Sequence, residues 1–358
     1  MRNSKFDAFR YAPIIEVRPA EMLALETLPE KDKDLLAPVL KLRPWAASLE
    51  LNKSIGRVKS AYGGRPCFLA LAELDFSEVT RPVHIDLRKL ADPRDGFRAW
   101  CAYFENEGNS QFIPCAQITH PEEFLPQVKS LAKLNRGLGI VVESEALPYA
   151  ENIAERLLEA EVEGDVMFML DYGKQNAGLV NMASLIRDRL AKISKIIPNA
   201  TLSISASSFP DGFVGVESQA IFERQAYNFI KGEMHFPLIY SDRGSARAER
   251  QLGGGGAPAP RVDYADDNWW YFYRSGDESK KRLSRYQEMA KEVMKSPQWD
   301  PKLRIWGTQM IERTALGDEN AITSPPRATA ARINIHLHRQ LHYGDRSGLY
   351  DTEDEWVD

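Results

Sequence analysis

The 358-residue chain is poor in cysteine, lacks any long apolar run and carries no strong excess of one charge. Its three cysteines, Cys67, Cys101 and Cys115, are widely spaced and form no CxxC pair. That usage excludes a disulfide framework or a cysteine zinc site, and the three read as reduced core residues. No segment approaches the roughly 20 apolar residues of a membrane-spanning helix. The first residues mix charged and apolar groups without the apolar block of a secretory signal. The expectation is a soluble cytoplasmic protein with no membrane partner. A net charge of −5, with acids and bases interspersed, gives no global push toward nucleic acid. Walker A, GxGxxG after a strand, and GxSxG are missing too. The four glycines at 253–256 have no lysine or helix directly behind them, so they make no phosphate loop. Nucleotide hydrolysis by the usual folds is therefore disfavoured.

What the chain does have is a cadence. Short, nearly continuous apolar runs fall at residues 11–17, 37–42, 67–74, 112–118, 139–143, 166–170, 201–205 and 236–240. Runs apolar on both faces belong to parallel strands covered by helices, since half-exposed strands alternate. Helix-like stretches follow several of them, at 19–28, 45–61, 149–161, 179–196 and 216–230. Pro19 and Pro148 suit first helical turns, and Pro198 with Asn199 ends the helix before them. Repetition of strand and helix eight times predicts an α/β fold, a (β/α)8 TIM-barrel-like domain spanning residues 1–358. An open doubly wound sheet is the competing fold. Residues 241–260 read as a mobile Gly-rich loop after the eighth strand, or as a linker between domains. Beyond them, helices at 280–294 and near Trp306 and Ala328 form a C-terminal helical extension. Residues 351–358 hold five acids and no base, and are expected as a solvated tail.

In a barrel, the carboxyl ends of all strands converge on one mouth. The polar residues ending the runs are Glu16 with Arg18, Lys41 with Arg43, Glu73 and Asp75, Gln117, Glu143, Asp171, Ser205, and Asp242 with Arg243. Carboxylates alternating with cations there can perform acid–base work or hold a divalent metal on oxygen. They can equally pair with one another, because burial demands partners. Asp171 leads the candidates: it closes an apolar run ahead of Tyr172-Gly173, where glycine allows a sharp turn beside a ligand. Asp242-Arg243-Gly244 repeats that arrangement at the eighth strand.

Two further segments draw notice. Trp269-Trp270-Tyr271-Phe272-Tyr273 and Arg274 offer stacking surfaces beside a cation. An alternating strand that buries Trp270 and Phe272 is the favoured reading. Half of the six histidines, His336, His338 and His342, lie within seven residues. On a helix His338 and His342 share a face, as zinc-binding histidines do. With no HExxH glutamate between them, hydrogen-bonding histidines are the expectation.

Several segments together resemble the phage "beta protein" family. They are Tyr11-Ala12-Pro13-Ile14-Ile15 with the helix around Glu21, Gly64-Arg65-Pro66-Cys67-Phe68-Leu69, Leu170-Asp171-Tyr172-Gly173, and Tyr240-Ser241-Asp242-Arg243-Gly244-Ser245. The others are Trp269-Trp270-Tyr271, Ile305-Trp306-Gly307, and Ile333-Asn334-Ile335-His336-Leu337-His338. Arg243 stands where the family favours tyrosine. The resemblance implies a role in phage–host conflict, either antiviral defence or control of a linked toxin. It implies a partner protein encoded by a neighbouring gene, or a phage component, rather than a known reaction. Asp171, Asp242, Trp270 and His336 carry over as motif positions. A barrel-shaped binding or sensing protein is the first expectation. The alternative is a metal-assisted hydrolase of a phosphorylated or nucleotide substrate. In it Glu16, Asp171 and Asp242 act as acid, base or cation ligands, and Lys41 and Arg243 meet the anion. Arg18, Arg43, Trp270, His336 and His338 complete the candidate binding set.

Overall fold

The computed structural model describes residues 4–73, 81–162, 164–247 and 259–354. The chain opens with a short 3-10 turn, Lys5–Ala8, then runs β1 (Ile14–Glu16), α1 (Pro19–Glu26), α2 (Glu30–Asp34), β2 (Val39–Leu42) and α3 (Leu51–Tyr62). Next come β3 (Cys67–Leu71), α4 (Pro82–Leu90), α5 (Arg94–Glu105), β4 (Phe112–Ala116), α6 (Pro121–Ala132), β5 (Leu138–Val142) and α7 (Ala150–Glu159). They are followed by β6 (Val166–Lys174), α8 (Gly178–Asn181), α9 (Ala183–Ile196), β7 (Thr201–Ser207), β8 (Ser218–Ala220), α10 (Phe222–Lys231) and β9 (Leu238–Tyr240). The chain continues through β10 (Arg261–Ala265), β11 (Trp269–Arg274), α11 (Arg282–Lys295), α12 (Trp306–Ala315), α13 (Pro325–Leu341) and α14 (Arg346–Tyr350). No helix among the described residues is long and apolar enough to cross a membrane.

Each of the eight apolar runs contributes one strand to an eight-stranded sheet ordered β1-β2-β3-β4-β5-β6-β7-β9, and every neighbouring pair is parallel. No ladder joins the outer strands among the described residues. They meet instead through a bridge between Tyr11 and Tyr240, with Ala12 N donating to Tyr240 O at 2.9 Å and Ile14 N to Asp242 O at 2.8 Å. Strand side chains alternate between two cores. Leu40, Leu69, Ile140, Phe168 and Leu202 face the helices. Ile14, Val39, Phe68, Ile113, Val141, Met167 and Ile239 pack with one another on the opposite face, and Phe6 from the opening turn joins them.

The remainder departs from a purely helical extension. β10, β11 and β8 form an antiparallel three-stranded sheet with its own core, which includes Trp270, Phe272, Tyr286 and Ile305. The helix expected over 216–230 therefore starts only at Phe222. The residues before it pair with β11 in the register Trp269↔Ala220, Trp270↔Gln219 and Tyr271↔Ser218. Likewise the helix expected from 45 begins at Leu51, because Trp45 and Ser48 form a turn. The segments 74–80 and 248–258, with Asp75 and the four glycines, and the tail beyond 354 lie outside the described residues.

The interior face leaves little slack. A Cβ on Gly139 would stand 2.7 Å from Cys115 Sγ and 2.8 Å from Phe68 Cδ1. Overpacking of this kind typically costs about 1–3 kcal/mol. Urea unfolding of Gly139→Ala should register that loss, and an unchanged midpoint would refute close packing between β3, β4 and β5.

Candidate functional site: an arginine-lined cavity above a buried carboxylate hub

The strand-end residues predicted to share one mouth separate into distinct groups. Asp171, wholly buried on β6, receives an ion pair from Arg243 and a hydrogen bond from Gly173 N at 3.1 Å. The ladder with β7 shifts register between Asp171 and Lys174, and Gly173 there has φ +61°. A side chain at 173 would collide with Ser144 Oγ at 2.4 Å, so the turn read from Tyr172-Gly173 requires glycine. Lys41 lies buried on β2 and pairs with the half-exposed Glu143 after β5. Glu16 receives both Arg18 and Arg43.

Asp242 sits deeper. Its oxygens accept from the Tyr11 hydroxyl, the Tyr240 hydroxyl at 2.8 Å, Gly244 N at 2.7 Å and His336 Nε2 at 2.7 Å. Trp270 Nε1 donates to His336 Nδ1 at 3.2 Å, so the imidazole proton sits on Nε2, facing Asp242. Burial alone would raise the Asp242 carboxyl, but the His336 ring and the Tyr11 and Gly244 donors outweigh it and hold it below its ordinary value. Trp270 and His336 are themselves fully buried, which closes them to any ligand. His338 belongs to another cluster, with Asp32 and His342.

Cys67 and Cys115 are buried and free, and burial pushes the Cys115 thiol up to about 12. Neither is a nucleophile at neutral pH.

The open space lies to one side of these pairs. A cavity of about 690 Å³ sits where the ends of β1, β2 and β7 face β10 and the start of α13. Five arginines line it, Arg18, Arg43, Arg247, Arg261 and Arg332, against the acids Glu16, Glu21 and Asp263. Arg18 and Arg43 share Glu16, while Arg261 and Arg332 share Asp263 at 2.6 and 2.7 Å. One carboxylate for two guanidiniums leaves the walls net positive. The Arg261 guanidinium lies 3.3 Å above the Phe213 ring and Arg332 lies 4.3 Å from Phe209, so the rings hold both cations in place.

Burial depresses Arg332, and burial with the neighbouring Arg261 charge depresses Arg247. Burial also raises Glu21. Pro325, Ala328 and Thr329 in the first turn of the 17-residue α13 complete the wall. The positive end of the helix dipole therefore faces the cavity. Anions are what such a cavity holds. Arg18, Arg43 and Glu16 were legible as strand-end residues. Arg247, Arg261, Arg332 and Asp263 were not, although Arg332 precedes His336 by one helical turn and so shares its side of α13.

Fold and site together define a class of α/β proteins: an eight-stranded parallel sheet with charged residues at its strand ends and a smaller antiparallel sheet at its side. The chain belongs to the Beta protein family, matching it over residues 11–342. It is similar to protein beta of Enterobacteria phage P4, at 24% identity over 351 residues covering 95% of each chain. The likeness carried by the short segments from Tyr11 to His338 therefore extends across nearly the whole length.

Behind the hub, Glu223 on α10 is fully buried and accepts from Ser208 N at 3.2 Å and from the Ser208 hydroxyl. Burial, then the charge of Asp242, raises its carboxyl from 4.5 to about 8. In the unfolded chain it ionises near its ordinary value, so the folded state binds the extra proton between those limits. Its contribution to stability is complete below pH 4.5 and is lost as pH rises through about 8. Relative to Glu223→Gln, the wild type should lose on the order of 3 kcal/mol across this window. Asp242 acts with the opposite sign, at acid pH, outside that range. Parallel urea-melt profiles for both proteins from pH 5 to 8 would contradict the assignment.

Proposed function

We propose that this protein is a barrel-shaped binding or sensing component of a phage–host conflict system, and that a phosphate-bearing anion is what its arginine cavity takes up. The observation that carries the reading is the cavity wall itself: five arginines, four of which share only two carboxylates. The seam at Tyr11 and Tyr240 supports treating the sheet as a (β/α)8 barrel, with the cavity at the carboxyl ends of its strands. The phage relative supports the biological setting. A soluble cytoplasmic location and a partner protein that responds to the ligand complete the proposal. Neither membrane nor nucleic acid has a part in it.

A metal-assisted hydrolase finds less support. Glu16 is tied to two arginines, Asp171 to Arg243, and Asp242 is sealed within its hub. No group of three metal-ligating side chains gathers at the mouth among the described residues.

Two measurements on one set of variants test the proposal. Inorganic phosphate, pyrophosphate and ATP should raise the melting temperature of the wild type, at least one of them strongly. Arg43→Ala and Arg261→Ala should weaken that ligand ~10-fold or more each, since a charge-assisted hydrogen bond contributes about 1.5–3 kcal/mol. In a phage-challenge assay with the native gene neighbourhood, both variants should lose protection at matched protein levels. Asp171→Ala should lose less. Folded arginine variants that protect fully would sink the binding reading.

A further inference from the structure

Away from the cavity, a second polar cluster lies where the end of α13 meets α2. Asp32, His338 and His342 are all buried, and one ligand atom from each lies within 4.8 Å of the others. Asp32 Oδ2 is 2.6 Å from His338 Nδ1, and Asp32 Oδ1 is 2.9 Å from His342 Nε2. Each carboxylate oxygen thus faces its own ring nitrogen, and both rings approach the one carboxylate.

What surrounds the cluster points the same way. His338 Nε2 donates to the Leu349 carbonyl at 2.9 Å, which fixes the ring and directs Nδ1 inward. A histidine that binds a metal through one nitrogen characteristically anchors the other in this manner. His342 Nδ1 is buried without a hydrogen-bond partner. A Cβ on Gly348 would stand 2.4 Å from His342 Nδ1 and 2.9 Å from Asp345 Oδ2, so both atoms line the same face of Gly348. When a cation occupies Nε2, the ring proton moves to Nδ1 and turns the orphaned atom into a donor on that face. The hydrogen-bonded triad alone leaves this nitrogen bare. Metal ligation gives it a role.

We propose that Asp32, His338 and His342 form a structural transition-metal site. Asp32 binds through both oxygens, His338 through Nδ1 and His342 through Nε2. Imidazole with carboxylate suits zinc first, and other late first-row divalent ions after it. Bond lengths of about 2.0–2.2 Å place the donors of a tetrahedral site roughly 3 Å apart, and the nitrogen–oxygen separations of 2.6 and 2.9 Å lie near that spacing. The site is too enclosed to retain a reactive water, which makes it a clamp between α2 and the α13–α14 region. It is independent of the arginine cavity.

The test uses the full-length protein, stripped with EDTA, dialysed and titrated separately with Zn2+ and Co2+. The expected result is one ion per chain by elemental analysis, visible four-coordinate bands with Co2+, and a melting temperature raised by several degrees with Zn2+. Asp32→Asn keeps the shape of the carboxylate, and Asp32→Asn and His342→Ala should abolish uptake while keeping wild-type circular dichroism. Stripped wild-type protein that stays folded, yet takes up no stoichiometric Zn2+ or Co2+ and melts unchanged, would overturn the site. So would folded variants that still bind one ion. Neither result bears on ligand binding by Arg43 and Arg261.

Discussion

A carboxylate removed entirely from water must be repaid by its neighbours, and Asp242 draws four hydrogen bonds from three separate stretches of chain. Tyr11 precedes β1, Tyr240 ends β9, Gly244 lies in the following loop and His336 sits in the middle of α13. The first two close the gap between the outer strands of the large sheet. His336 passes the connection on to Trp270 and so to the small sheet. The two sheets are thereby joined by a hydrogen-bonded chain. Removing one member leaves a buried donor or acceptor unsatisfied, which costs about 1–3 kcal/mol, and more when the group left is charged.

The same arrangement explains where the open cavity lies. The centre of the strand ends is filled by pairs that satisfy one another, among them Asp171 with Arg243 and Lys41 with Glu143. The arginine-lined space opens at the side, where the small sheet and α13 face the ends of β1 and β2. There the arginines outnumber the acids, and aromatic rings pack against the Arg261 and Arg332 guanidiniums. Charge surplus, rather than any single catalytic group, is the chemical character of the site.

The eight strands were legible because strands covered on both faces leave uninterrupted apolar runs such as VMFML and TLSIS. The helices between 82 and 105 went unread, since nothing before them marked an apolar period clearly. β8 is only three residues long, too short to leave a pattern, and its partner Trp269 lies far along the chain. Glu16, Arg18 and Arg43 could be placed at strand ends from local signals. The role of Asp242 could not, because a terminal acid looks alike whether it faces solvent or a histidine 94 residues away. For the same reason Asp32 gave no hint of His338, which lies 306 residues further on. Trp270 and His336 were visible as an aromatic run and a histidine cluster, but their burial depends on a packing that only the assembled fold defines.

The long helix α13 carries Arg332 into the cavity wall, Asn334 to the carbonyl of Ala24 on α1, and His336 to the hub. It is made after the eleven strands of the described residues have been synthesised. A growing chain can therefore pair its strands while the cavity still lacks a side and Asp242 still lacks its imidazole. The cavity wall is complete only in the last stage of synthesis. A chain cut short upstream of this helix lacks that side of the cavity and the imidazole that faces Asp242.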